Sequence, residues 1–124
     1  MNKILIVEDD TFISRMYEAK LVNLGYEAKI AENGQDGLRV MQEWLPDLVL
    51  LDLILPILDG FEFLKQIKAD NNFKNIPIIV LSNLDQKENI EKGISLGASD
   101  YIIKAQFTPS EVVEKIEKCL KSKK

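Results

Sequence analysis

The sequence predicts an α/β fold, a doubly wound parallel sheet of five strands with helices on both faces. Three observations predict it. Strand-like and helix-like segments alternate from end to end. Four of the strand-like runs are apolar, as strands covered on both faces are. Four of them stop at a polar residue: Ile4-Leu5-Ile6-Val7 before Glu8-Asp9-Asp10, Leu48-Val49-Leu50-Leu51 before Asp52, Ile78-Ile79-Val80-Leu81 before Ser82, and Tyr101-Ile102-Ile103 before Lys104.

Residues 3 to 7 read as a buried strand. Over residues 11 to 24, Ile13, Met16, Tyr17, Leu21 and Leu24 recur at helical spacing, and Gly25 stands where helices end. Residues 27 to 31 form a weaker strand, nearer an edge. Asn33 caps a helix running to about Trp44, which Pro46 stops. Residues 47 to 51 form the third strand. Asp59 followed by Glu62 resembles a capping box, and Phe63, Leu64 and Ile67 supply the buried stripe. The fourth strand, 78 to 81, follows Pro77. Asp85 with Glu88 suggests another capped start, on a helix whose apolar residues are mainly Ile90 and Ile94, with Gly93 between them. Residues 101 to 103 form the fifth strand. Thr108-Pro109-Ser110-Glu111 places an N-cap, a proline at the first helical position and a glutamate at the third. Val112, Val113, Ile116, Cys119 and Leu120 form the last stripe. Right-handed crossovers leave few topologies, and the flavodoxin-like order 2-1-3-4-5 is the expected one. All the polar run ends then lie along one carboxyl edge, where open α/β sheets bind ligands.

At 124 residues the chain reads as one domain, 1–124, with Lys121-Ser122-Lys123-Lys124 expected as a disordered, solvated end. No apolar stretch approaches the ~20 residues that span a bilayer. No signal peptide is visible, so a cytoplasmic location is expected. The lone cysteine, Cys119, excludes an internal disulfide and reads as core. A net charge of −4 argues against direct nucleic-acid binding, which wants a basic face. The chain has no histidine, which excludes a histidine phosphocarrier, base or metal ligand. Gly25, Gly34 and Gly37 make no phosphate loop and read as helix-end residues. Trp44 reads as cover for the core edge.

Glu8, Asp9 and Asp10 are three adjacent carboxylates that repel one another. A divalent cation removes that cost, and Mg²⁺ favours one or two carboxylates with water and phosphate oxygens. The same acids suit the capping and macrodipole of the following helix, Asp10 above all. Asp52 ends an apolar strand, a costly place for a charge unless it faces the crevice. With a metal nearby an aspartate can attack phosphorus; otherwise it is a turn aspartate.

These residues, in this order, resemble the receiver domain of bacterial two-component response regulators, of the stand-alone type. Asp52-Leu53-Ile54-Leu55-Pro56-Ile57-Leu58-Asp59-Gly60 resembles the family's phosphoacceptor loop, Asp-x-x-Met-Pro-x-x-Asp-Gly. Glu8-Asp9 is similar to its acidic pair and Ser82 to the Ser/Thr ending its fourth strand. Gly97-Ala98-Ser99-Asp100-Tyr101-Ile102-Ile103-Lys104 resembles its approach to an invariant lysine. The likeness covers residues 3 to about 120.

The resemblance implies that Asp52 accepts a phosphoryl group from a phosphohistidine of a sensor histidine kinase or histidine phosphotransfer protein, in a Mg²⁺-dependent reaction. It gives Mg²⁺ to Asp9, Asp52, the backbone carbonyl of Ile54 and, partly through water, Glu8. It gives Lys104 a phosphoryl oxygen, Ser82 a hydroxyl bond to the new phosphate, and Tyr101 the part of switch aromatic. Phosphorylation would bias the face built from 85–96, 101–103 and 108–120. The physics agrees: the transferred group spreads charge over its equatorial oxygens, so positioning and opposing charge do the work. A lysine suits this as a compact point charge. The expected partners are the kinase and a downstream protein target. The expected state is a monomer or weak phosphorylation-dependent dimer, a signalling phosphoacceptor rather than an enzyme.

The family pattern is broken in places. Leu55 stands for methionine, Ile54 takes a position that is often polar, and Asn83 is larger than the usual Ala or Gly. Lys104-Ala105-Gln106-Phe107 replaces Lys-Pro-Phe, so a cis peptide is not expected after the lysine. Three other classes fit less well. A haloacid dehalogenase-type phosphatase needs a second aspartate where Ile54 stands. A flavodoxin-like electron carrier needs a phosphate loop where Glu8-Asp9-Asp10 would repel FMN. A docking-only pseudo-receiver has no need of Asp9, Asp52, Ser82 and Lys104 together.

Overall fold

The computed structural model describes residues 2–122. Elements alternate strictly: β1 (Lys3–Val7), α1 (Thr11–Asn23), β2 (Glu27–Ala31), α2 (Gly34–Trp44), β3 (Leu48–Leu51), α3 (Gly60–Ala69), β4 (Ile78–Ser82), α4 (Lys87–Ser95), β5 (Asp100–Ile103) and α5 (Pro109–Ser122). The strands pair in parallel in the order β2-β1-β3-β4-β5. This is the expected flavodoxin-like sheet, with the weak strand β2 at its edge.

Strand side chains alternate between faces, and the apolar runs therefore feed two cores. Ile4, Ile6, Leu48, Leu50, Ile79, Leu81 and Ile102 pack with Tyr17 and Leu21 of α1 and with Val112, Val113 and Ile116 of α5. Leu5, Val7, Val49, Leu51, Ile78 and Val80 pack with Val40 and Met41 of α2 and with Phe63, Leu64 and Ile67 of α3. Leu51 is fully buried at the centre of the sheet, and Leu51→Ala would cost about 2–5 kcal/mol.

Capping sets most helix starts. Asp10 Oδ1 accepts from the Phe12 and Ile13 amides at 3.0 and 3.2 Å. Asn33 accepts from Asp36 at 2.8 Å, and Asp59 from Glu62 at 3.0 Å. At α5 the box is reciprocal: Glu111 N–H donates to Thr108 Oγ1 at 3.1 Å, and Thr108 N–H to Glu111 Oε1 at 2.8 Å.

Several expectations need correcting. The N-cap of α4 is Gln86, which makes no side-chain cap bond; Asp85 lies one position too early. Ile94 is 47% exposed, and Gly93 is the only buried residue of α4. Leu24 is 53% exposed because it caps α1 instead of extending its stripe. Gly37 lies inside α2, where a Cβ would stand 2.9 Å from the Phe63 ring; close packing, not a helix end, explains it. Gly34 opens α2 hard against the Leu58 carbonyl, which accepts its N–H at 3.0 Å. Cys119 is half-buried. The helix α5 continues through Lys121 and Ser122, which the sequence reading assigned to a loose tail; Lys123 and Lys124 lie outside the described residues. Trp44 does cover an edge: the ammonium groups of Lys3 and Lys29 lie 5.5 and 5.1 Å from its ring centre.

Candidate functional site

At the carboxyl edge, the parallel ladder continues one step past the strands. The Glu8 N–H donates to Ala31 O and the Asp52 N–H to Val7 O, both at 2.9 Å. These bonds fix the two acids side by side at the ends of β1 and β3. Glu8 and Asp52 are buried and Asp9 is exposed, yet each offers a carboxylate oxygen within 4.8 Å of the others'.

Lys104, following β5, reaches across this group. Its ammonium lies 2.7 Å from Glu8 Oε1 and 3.1 Å from Asp52 Oδ2. A single 3₁₀ turn, Lys104–Gln106, carries the chain on, and the described residues contain no cis peptide. Ala105 thus replaces proline without dislodging the lysine.

The charges are strongly coupled. Burial pushes the Glu8 carboxyl up to about 7, the Lys104 bond pulls it back, and the Asp52 charge adds to the rise. Burial would lower Lys104, but the bonds and charges of Glu8 and Asp52 outweigh it and hold the ammonium above its ordinary value. The remaining Glu8 oxygen accepts the Asp10 N–H at 3.2 Å.

The other expected residues sit around this group. Ser82 is fully buried at the end of β4, and its Oγ accepts the Leu84 N–H at 3.2 Å. Ile54 stands on the loop leaving Asp52; its N–H donates to Asp52 Oδ1 at 3.4 Å and its side chain is 60% exposed. The Tyr101 hydroxyl makes no hydrogen bond to the acids. Its hydroxyl donates to the Leu84 carbonyl at 2.6 Å, with the Ser82 hydroxyl beside it. Burial, then the negative charge of Asp52, holds that hydroxyl above its ordinary pKa and so keeps it a donor.

Sequence reasoning missed three contributors. Gly60 lets α3 start against the β3 exit: an added Cβ would stand 2.5 Å from Leu53 Cα and closer still to the Asp52 carbonyl. Gly93 makes room for the Tyr101 ring, 3.1 Å from where a Cβ would be. Leu84 supplies the carbonyl that Tyr101 uses. The Asp59-Gly60 pair was a visible turn signal; the other two depend on contacts between distant segments.

Residues 4–117 match the model of the response regulator receiver domain family. The chain is 39% identical over 118 residues to the phosphate regulon transcriptional regulatory protein PhoB of Pseudomonas aeruginosa, covering 95% of this chain and 51% of that one. It is 35% identical over 119 residues to a probable transcriptional regulator, ycf27, of Pyropia yezoensis, covering 96% and 47%. The chain thus spans about half the length of these curated relatives. A crystal structure of a CheY-like response regulator receiver domain protein from Methanospirillum hungatei superposes with a TM-score of 0.92 at 30% identity, covering 99% of this chain and 96% of that one.

Proposed function

This chain belongs to the response regulator receiver domain family, a family of signalling domains, and from that premise we propose that Asp52 accepts a phosphoryl group from a phosphohistidine of a sensor histidine kinase or histidine phosphotransfer protein. The observation that carries this reading is the meeting of Glu8, Asp9 and Asp52 with Lys104 at one point of the carboxyl edge.

The donor set fits Mg²⁺. Three carboxylate oxygens lie within reach of one ion, and the pocket is negative enough to draw in an ammonium as its counter-charge. Asp9 and Asp52 would hold the ion, with the Ile54 carbonyl and, through water, Glu8. When bound, Mg²⁺ supplies positive charge opposite the phosphoryl oxygens.

The chain's own groups do the rest. An Asp52 oxygen forms the new O–P bond as the N–P bond of the phosphohistidine breaks, and the imidazole leaves with the electron pair. Lys104, already 3.1 Å from Asp52, needs little movement to pair with a phosphoryl oxygen. The positioned ammonium opposes the charge spread over those oxygens. The buried Ser82 hydroxyl accepts from the Leu84 N–H and lies beside the Tyr101 hydroxyl, so donating to the phosphate would turn its proton away from Tyr101. Such a donation would favour one arrangement of Ser82, Leu84 and Tyr101 and so bias α4, β5 and α5. The weakly capped α4, burying only Gly93, is suited to move. Phe12, 80% exposed in the first turn of α1, and Ile57, 76% exposed on the loop after β3, would meet the donor protein. A protein target reads the changed face, as a monomer or through weak dimerisation.

The test is incubation with acetyl phosphate and Mg²⁺ followed by intact mass. One added phosphoryl group, absent from Asp52→Asn and from a sample held in chelator, is the expected result. No gain with acetyl phosphate or a competent kinase would leave a docking module instead.

A further inference from the structure

Gly93 is the one buried residue of α4. Glycine weakens a helix interior relative to alanine, and α4 already lacks a side-chain cap at Gln86. A local rule broken in this way calls for a gain elsewhere.

The gain is the seat of the Tyr101 ring. A Cβ at position 93 would stand 3.1 Å from Cδ2 and 3.2 Å from Cε2 of that ring, inside the ~3.5–4.0 Å at which carbon atoms pack best. The ring is pinned at both ends. Its backbone lies in the β4–β5 ladder opposite Val80, and its hydroxyl donates to the Leu84 carbonyl at 2.6 Å. The helix is pinned as well: the Gly93 carbonyl accepts the Ala98 N–H at 3.1 Å, in the turn that leads into β5. A methyl group at 93 is therefore relieved most easily when the Tyr101 hydroxyl leaves Leu84. From Leu84 the contacts continue to the site, because the Leu84 N–H donates to Ser82 Oγ at 3.2 Å.

We propose that Gly93 is the positioning residue that couples the phosphoacceptor site to α4: its missing Cβ seats the Tyr101 ring against the helix, and a larger residue there disconnects α4 from Ser82 and Asp52. The inference rests on the phosphoacceptor reading above and assigns the response of α4 to one position. Its physical warrant is a continuous set of contacts, Gly93–Tyr101–Leu84–Ser82, that both ends can bias.

The experiment uses the full chain with beryllium fluoride and MgCl₂, the fluoride standing in for a phosphoryl group on Asp52. Fluorine-19 NMR reads loading, and hydrogen exchange read by mass spectrometry follows α4. Loading of the unaltered chain is expected to change exchange in α4 about fivefold or more. In Gly93→Ala, loading is expected to persist while that change falls below about twofold. Without fluoride, the Tyr101 ring resonances are expected to shift in Gly93→Ala, and those of Tyr17 and Tyr26, which pack on the other core, to stay. Gly93→Ala favours the helix, so the variant still folds; its urea midpoint should rise more in a Tyr101→Ala background, where no ring opposes the methyl. An α4 response that is absent from the loaded native chain, or undiminished in loaded Gly93→Ala, overturns the proposal. So do unmoved Tyr101 resonances, or an equal midpoint change in both backgrounds. A native chain that never loads removes the phosphoacceptor reading and the coupling with it, and the loading signal tells that failure from the others.

Discussion

The Lys104 ammonium stands 2.7 Å from Glu8 and 3.1 Å from Asp52, so its tighter bond is to the carboxylate at the end of β1. The lysine thus occupies the negative pocket as its internal cation, and any metal must compete for Glu8 with both this ammonium and a proton.

A pH dependence follows. Burial lifts the folded Glu8 carboxyl from 4.5 to about 7. A group that holds its proton more firmly when folded stabilises the fold at low pH. That contribution is complete below 4.5 and is lost as pH rises through about 7. Cation-free protein is therefore expected to lose stability between about pH 4.5 and about pH 7, read from urea midpoints. Glu8→Gln should flatten this slope, and Mg²⁺ should oppose it by binding the ionised form. A slope that survives Glu8→Gln would assign it elsewhere.

Gly60 is where the site and the fold depend on one atom's absence. Its N–H donates to the Leu53 carbonyl at 2.9 Å, and an added Cβ would meet Leu53 Cα and the Asp52 carbonyl. Both are backbone and cannot swing aside. Gly60→Ala is expected to cost about 2–3 kcal/mol and to shift Asp52 relative to Glu8. Denaturant unfolding reads the first effect and Mg²⁺ titration the second. A variant with unaltered stability would mean that the loop relaxes freely.

The legible parts of this protein were those encoded over a few neighbouring residues. Four strands were legible as apolar runs, because side chains alternating along them bury on both faces whatever the distant partners, and β2 was legible only as a weaker strand. Caps at Asn33, Asp59 and Thr108 were legible for the same local reason. The start of α4 was not: Asp85 and Gln86 compete for one position, and packing of Gly93 on Tyr101 helps decide where the helix lies. At the site, the residue types and their common edge were readable. The division of Lys104 between Glu8 and Asp52 was not, since it depends on ångström differences between strand ends.

Ile57 carries backbone strain. Its φ is +70°, and the Leu58 N–H donates to the Pro56 carbonyl at 2.7 Å, closing a three-residue γ-turn around it. A β-branched residue at positive φ is an outlier that costs about 1–3 kcal/mol. Because the side chain is 76% exposed, little burial offsets that cost. Asparagine tolerates positive φ far better, so Ile57→Asn should raise stability by about 1 kcal/mol. Differential scanning calorimetry checks this, and a lowered midpoint would show that the turn is unstrained.

Ile54 is expected to govern how long a phosphoryl group would persist. It leaves Asp52 by two residues, tied to Asp52 Oδ1 through its own N–H, and 60% of its side chain faces solvent at the mouth of the site. A water attacking phosphorus must approach in line, from the side opposite the Asp52 oxygen. A branched hydrocarbon at that mouth takes up space and offers no hydrogen bond to orient the water. Asparagine of similar bulk would supply both a donor and an acceptor. The exposed position makes Ile54→Asn nearly neutral for stability, within about 0.5 kcal/mol, so a kinetic change can be assigned to the chemistry. The expected result is a phosphoprotein half-life roughly tenfold shorter, equivalent to about 1.4 kcal/mol of barrier. It is read by intact mass at intervals after the phosphodonor is removed. Equal half-lives for the two proteins would place control of the water on other residues, of which Leu84 and Asn83, beside Ser82, are the next to change.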